Sequence, residues 1–341
     1  MSLTGFLKKS GYWAACALVA CALSGCGGGK TPAASSAAAS SAAASSAPEP
    51  VRIENLRVEL PRTTDAAAAS AALEAVPELL GDGVEVGRVT VTFGTSYAAT
   101  AQALEQGGVD LAFLPAADFI RCGSAAEPIL AAAPQRGGTA GTLSQICTSP
   151  TEYGEKLAGR TAAPTWNELD HARWGVLERD SLAGYQCLEL WLEDNYEGSG
   201  VEDLSNVAVY AGWEELLRAA AAGEIDLFPL PSELRETYGQ LWTMDATRTD
   251  AAGARGFGRE RSMEQELGVL DTTPRLYAWV AAVSPQSAEL TREPFPAALA
   301  DALEQALPDP AVRLSVMGAE HYAAIRPEDL DGMRRLMMGE T

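Results

Sequence analysis

The sequence predicts an α/β protein built from strand–helix–strand units, and three observations predict it. First, residues 89–115, VTVTFGTSYAATAQALEQGGVDLAFLP, and residues 205–231, SNVAVYAGWEELLRAAAAGEIDLFPLP, align without a gap and both end in G-x-[VI]-D-L-x-x-L-P. Second, each opens on alternating apolar residues (Val91 and Phe93; Val207 and Val209), the period of a half-buried strand, and sets an aromatic, Tyr97 or Trp213, ten positions before its glycine. Third, LRVELPRTTDAAAASAALEAVPELL, beginning at Leu56, reads as a strand over 56–60, a polar turn and a helix. A glycine that closes a helical pattern marks a helix stop. The chain therefore holds two similar βαβ-type units preceded by a further strand and helix.

The elements before these units are of another kind. Lys8 and Lys9 precede the apolar run GYWAACALVACAL, which is too short for a membrane span of roughly 20 residues, and LSGC follows at residues 23–26. This start resembles a bacterial lipoprotein signal, which implies removal of residues 1–25 and lipidation of Cys26. GCGGGKT lacks the spacing of a phosphate-binding loop, since Ser24 stands where the first glycine belongs. TPAASSAAASSAAASSAPEP has no apolar stripe to bury and reads as a tether, so residues 26–50 are the lipidated cysteine and its linker. Twenty such residues average about 25 Å end to end as a flexible coil. The folded part is thereby expected on the extracytoplasmic face of the cell membrane, held by acyl chains.

Residues 51–341 are enough for one large or two medium domains. Without the leader the chain carries 23 basic and 46 acidic residues, a net charge of −23. Nucleic acid and anionic membrane faces need clustered positive charge and are excluded as partners. Any anionic ligand must then be captured by local donors. Cys122, Cys147 and Cys187 remain after Cys16, Cys21 and Cys26 are assigned to the leader and the anchor. They have no metal-ligand spacing; they read as small buried apolar residues, with a disulfide between two of them left open.

In an open parallel sheet, ligands bind beyond the carboxyl ends of the strands, where the turns into helices lie. Tyr97 and Trp213 fall at such turns, as do residues 115–118 and 231–233. If the two units face each other, these turns line one cleft from opposite walls; helix-end packing is the plainer role for each aromatic alone. Thr63, Thr64 and Asp65 near one helix start, and Ser181 in ERDSLAGY (residues 178–185) near another, suit helix capping. A helix start also presents unpaired N–H groups and the positive end of a dipole, so both turns suit an anion, with Arg62 and Arg179 available as charged forks.

The lipobox, the strand–PRTTD turn, TSYAATAQAL with GGVDLAFLP, SLAGYQCLELWLEDNYE and the closing HYAAIRPEDLDGMRRL together resemble the phosphate/phosphite/phosphonate-type substrate-binding proteins of ABC importers, over nearly the whole mature chain. The resemblance implies a two-lobed type II periplasmic-binding-protein fold. Each lobe would be a mostly parallel sheet flanked by helices, with two hinge crossings near residues 143–147 and 276–283. Lobe 1 is expected over 51–142 plus 277–341 and lobe 2 over 143–276. It also implies ligand contacts at Thr63, Thr64, Tyr97, Arg179, Ser181, Trp213, Ser232 and Glu233, an ABC permease and ATPase as partners, a monomer, and no cofactor or metal.

The loop departs from the family pattern. Where the family has a run of hydroxyls, this chain has Glu178, Arg179, Asp180, Ser181, Leu182 and Ala183, and Trp213 stands where such binders often carry histidine. A carboxylate 4 Å from a ligand charge of the same sign costs roughly 4 kcal/mol at an effective dielectric near 20. Acids facing the ligand would favour an amine-bearing or zwitterionic compound, and a surface module that has lost transport binding is a further alternative. An enzyme is not expected. The two histidines, His171 and His321, lie far from these turns, and no Ser–His–Asp, HExxH or CxxC pattern occurs. Residues 239–268, rich in charge and glycine, read as an irregular insertion.

Overall fold

The computed structural model describes residues 50–61, 66–123 and 125–338. The signal peptide, Cys26, nearly all of the tether and the Arg62, Thr63, Thr64 and Asp65 turn lie outside the described residues. Thirteen strands follow in chain order: β1 Val51–Ile53, β2 Leu56–Leu60, β3 Val84–Val86, β4 Val89–Phe93, β5 Leu111–Pro115, β6 Glu127–Ala133, β7 Gln145–Thr148, β8 Trp174–Val176, β9 Val207–Val209, β10 Leu227–Leu230, β11 Gly268–Thr272, β12 Trp279–Val283 and β13 His321–Ala324. They form a six-stranded sheet in the order β13-β6-β12-β5-β2-β4, a five-stranded sheet in the order β11-β7-β10-β8-β9, and the small parallel pair β1-β3.

The two units predicted from the repeat occupy matching places. In the first sheet β2 lies between β4 and β5 with all three parallel, and in the second β8 lies likewise between β9 and β10. Helix Tyr97–Glu105 connects β4 to β5, and helix Trp213–Ala222 connects β9 to β10. The glycines of the shared motif end both helices in the left-handed region, Gly107 at φ 70° and Gly223 at φ 73°. The sheets are more mixed than a parallel pattern alone. β12 runs antiparallel to β5 and to β6, and β7 runs antiparallel to β10 and to β11. Each of these reversed strands enters its sheet from the other sheet, and so runs the opposite way.

Period-2 alternation splits each strand between two apolar layers. Leu111 and Phe113 join Leu56, Val58 and Leu60 on one face of the first sheet, under the helix Phe295–Ala306. Ala112 and Leu114 point to the other face, with Ala101, Leu104, Phe119 and Met333. In the second sheet Ile146, Trp174, Val176 and Leu227 share one layer. Cys147, Phe228 and Leu230 share the other. Helix Cys187–Asn195 belongs to both sheets: Leu188, Trp191 and Leu192 pack with the second, while Cys187 and Leu190 pack with the first.

The chain passes between the sheets twice, through residues 134–144 (β6 to β7) and 273–278 (β11 to β12). Both connections lie a few residues upstream of the positions read from the sequence. β6 and β11 run in the same sense as β5 and β10, from which one reversed strand separates each, so both connections leave from the carboxyl edges of the sheets. They pair with each other: the Thr142 amide donates to the Leu276 carbonyl at 2.8 Å and the Leu276 amide to the Thr142 carbonyl at 2.9 Å. Gly141, at φ +76°, permits this approach, because a Cβ there would stand 2.7 Å from the Leu276 oxygen.

The segment 239–268 is irregular between helices Glu233–Thr243 and Met263–Glu266, yet it is tied to the core. The largely buried Glu266 carboxylate accepts from Trp242 Nε1 at 3.0 Å and from Arg259 Nε at 2.8 Å. Cys122, Cys147 and Cys187 are all free thiols. Cys147 and Cys187 are buried, as small apolar residues would be, and Cys122 is exposed.

Candidate functional site

The amino edges of the parallel strands carry ion pairs. Arg57 holds Asp110 and Arg173 holds Asp226. Beside the second of them opens a cavity of about 580 Å³ lined by Thr151, Tyr153, Lys156, Arg173 and Asp226. The opposite, carboxyl edges carry the turns and both inter-sheet connections, and cavities open there. The larger of the two at this edge, about 440 Å³, is lined by Gln135, Thr139 and Thr142 of the first connection, Arg275 of the second, and Ser232, Glu233 and Glu236 beyond β10. Arg275 is fixed at one end, Nη1 donating to the carbonyls of Ala140 at 3.1 Å and Gly141 at 3.0 Å. Ser232 Oγ donates to Glu233 Oε2 at 3.4 Å. This cavity thus joins a guanidinium and hydroxyls, which suit an oxyanion, to two exposed carboxylates, which suit a cation.

A second cavity of about 180 Å³ adjoins it, sharing Pro134, Gly141 and Thr142 and adding Ala132, Ala278 and Leu182. Leu182 brings the ERDSLAGY turn to the same edge. The turn is a π-helical start, Leu182–Gln186, capped by Ser181, whose Oγ accepts from the Gly184 amide at 3.1 Å. The Tyr185 and Gln186 amides both donate to the Ser181 carbonyl, at 3.0 and 3.1 Å. Single π turns of this kind recur at functional sites.

Of the residues expected to contact a ligand, Ser232 and Glu233 line the larger cavity. Ser181 starts the turn whose Leu182 lines the smaller one. Thr63 and Thr64 lie outside the described residues. Tyr97 is the first residue of its helix, 38% exposed, with its ring edge-on to Trp279 at 5.8 Å between centroids. Trp279 opens β12 at the end of the second connection, so Tyr97 stands beside the crossing. Trp213 is half-buried against the apolar layer of Leu216, Leu217 and Phe228, a helix-end packing role. Arg179 forms an ion pair with Glu202 and lies 5.8 Å above the Tyr185 ring; it lines neither cavity.

Thr139, Thr142, Glu236 and Arg275 were not singled out from the sequence. They sit in irregular connections or one turn into a helix, where no periodicity flags them; the one available signal was the isolated arginine of TTPRLYAWV before an apolar strand. Among the described residues no group of three or more His, Cys, Asp or Glu side chains is placed to hold a metal ion. His171 Nδ1 lies 2.6 Å from the Asn167 carbonyl and His321 Nδ1 2.9 Å from Glu304, both outside the cavities. No helix among the described residues is long and apolar enough to cross a membrane.

Among solved structures, the chain is similar to the binding protein component of an ABC phosphonate transporter from Pseudomonas aeruginosa, at 12% identity and a TM-score of 0.34, covering 84% of this chain and 86% of that one. It is similar also to PhnD1 from Prochlorococcus marinus in complex with methylphosphonate, at 10% identity and a TM-score of 0.36, covering 84% and 98%. No curated protein matches the sequence significantly. The family model described as "ABC transporter, phosphonate, periplasmic substrate-binding protein" matches residues 61–330, most of the chain with strands of both sheets, and the protein belongs to that family of transport components, which are binding proteins and not enzymes.

Proposed function

We propose that this protein is an extracytoplasmic lipoprotein that captures a small oxyanion-bearing ligand of the phosphonate or phosphate class for an ABC importer. The two sheets act as lobes, residues 51–142 with 277–341 and residues 143–276, which close on the ligand by bending at the two connections. The observation that carries this reading is the shared cavity: Ser232 and Glu233 from the carboxyl edge of the second sheet meet Thr142 and Arg275 from the two connections. A ligand there touches the parts that must move relative to each other, and contact with both stabilises the closed state. Tyr97, Ser181 and Arg179, with Thr63 and Thr64, complete the proposed contact set, while Trp213 supports the second sheet by packing in its apolar layer. The permease and ATPase read the closed monomer, and acyl chains on Cys26 keep it at the membrane.

Glu233 and Glu236 in the same cavity favour a second reading, a ligand that carries an amine as well as its oxyanion. Calorimetric titration of the purified protein with phosphate, phosphite, methylphosphonate and 2-aminoethylphosphonate separates the two. Preference for the aminophosphonate supports the zwitterion, preference for the others the plain oxyanion, and absence of heat with all four contradicts both.

A further inference from the structure

Ser144, the last residue of the first connection, is fully buried and uses every polar group it has. Its amide donates to Thr273 Oγ1 at 2.9 Å, and its carbonyl accepts from the Thr273 amide at 2.8 Å, which locks the two connections together. Its hydroxyl turns away from that pair and donates to the Ala183 carbonyl at 2.7 Å, across 39 residues of sequence. Ala183 lies inside the π-helical start that follows Ser181, next to Leu182 in the smaller cavity. One residue, through its backbone and its side chain, therefore joins both connections to the ERDSLAGY turn. A second contact lies one helical turn further on, where Cys187 Sγ sits 3.8 Å from the Thr142 carbonyl.

We propose that Ser144 is a positioning residue, whose hydroxyl makes the ERDSLAGY turn follow the two inter-sheet connections as they bend, so that the turn is aimed at the ligand only in the closed arrangement. This rests on the capture-by-closure reading above. The turn has no other polar side-chain bond to the connections among the described residues. Without the hydroxyl, the half-buried Ala183 carbonyl loses its bond to the first connection. The turn then opens on its own, without the connections opening with it.

The test is native-state hydrogen exchange of the full chain and of Ser144→Ala and Ser144→Thr, followed at the bonded amides of Gly184, Tyr185 and Gln186, with β10 as the reference. Ser144→Ala is expected to raise exchange at those three amides about 5- to 30-fold while β10 changes less than about twofold. Ser144→Thr, which restores the hydroxyl, is expected to reverse most of that rise. A uniform rise through both sheets, or no rise at the turn, would overturn the proposal. If Ser144→Ala does not fold, Ser144→Cys keeps the volume with a much weaker donor and is judged by the same criteria. Titration with methylphosphonate adds a second arm. Where the unmodified chain binds it, Ser144→Ala should weaken binding by about the same factor as the local exchange rise, and an unchanged affinity would overturn the link to capture. Where the unmodified chain does not bind it, the oxyanion reading fails for that ligand, while the exchange result still decides the coupling.

Discussion

Arg57 grips Asp110 three ways: its own backbone amide donates to Oδ2 at 2.8 Å, Nε to Oδ2 at 2.9 Å, and Nη2 to Oδ1 at 2.5 Å. Arg173 and Asp226 repeat the arrangement at 3.0, 2.9 and 2.7 Å, and both pairs are 53 residues apart in sequence. A hydroxyl completes each clasp, Ser287 on Asp110 at 2.9 Å and Thr151 on Asp226 at 2.7 Å. The aspartate of the repeated G-x-[VI]-D-L motif is thus a fastener at the amino edge of each sheet.

The clasps set an acid limit on stability. Burial alone would raise the pKa of Asp110 and Asp226, but the hydrogen bonds from Arg57 with Ser287, and from Arg173 with Thr151, outweigh it and hold both carboxyls below the ordinary aspartate range. A depressed folded pKa contributes stability that is fully present above the unfolded value of about 3.9 and is lost as pH falls through the folded value. Urea unfolding across that range should show stability falling with acid, and the slope should shrink in Asp110→Asn. At neutral pH that variant is expected to cost about 1–3 kcal/mol through the impaired clasp; a cost near zero would remove the fastener role.

Arg275 is the one cationic side chain among the residues lining the larger cavity. Arg275→Gln is expected to weaken oxyanion binding by about tenfold or more, the worth of a hydrogen bond to a charged group. Calorimetry measures it, and thermal unfolding checks that the fold is intact.

Tyr97 stands half-exposed against Trp279 at the end of the second connection. If it stacks on the ligand, Tyr97→Ala should reduce affinity by about 1 kcal/mol or more. Trp213→Ala, by contrast, should lower thermal stability more than affinity, because its ring packs in the apolar layer of the second sheet.

Gly141→Ala should strain the crossing, since the residue sits at φ +76° and the new Cβ would meet the Leu276 oxygen and the Tyr277 ring, each 2.7 Å away. A loss of about 1–3 kcal/mol in urea unfolding is expected; no loss would mean that the crossings have slack.

Cys26→Ser should move the protein from the membrane fraction to the soluble fraction of its cells, because acyl chains are the only anchor proposed. Persistence in the membrane fraction would refute the lipid anchor.

The sheets were legible because their strands repeat a pattern twice. The shared motif marked β4, β5, β9 and β10, their helices and the two glycine stops, and Leu56–Leu60 announced itself by alternation. The clasp was half visible: Asp110 and Asp226 stood out, whereas Arg57 and Arg173 belong to no motif and only pairing geometry reveals them. The cavity was harder to read. Ser232 and Glu233 follow a recognisable strand end, but Thr142, Ser144 and Arg275 lie in connections whose backbone is set by tertiary pairing with Leu276 and Thr273, 129 residues away in the case of Ser144, and no local periodicity encodes that. Trp213 looked equivalent to Tyr97 in sequence, yet the bulkier ring is drawn into the layer with Leu216, Leu217 and Phe228.

The claim that the sheets clamp a ligand at their two connections is tested most directly by small-angle X-ray scattering, with and without a saturating amount of whichever oxyanion binds in calorimetry. A fall in the radius of gyration on ligand addition, absent in Arg275→Gln at the same ligand concentration, is the predicted result. Tight binding with an unchanged radius of gyration would contradict capture by closure.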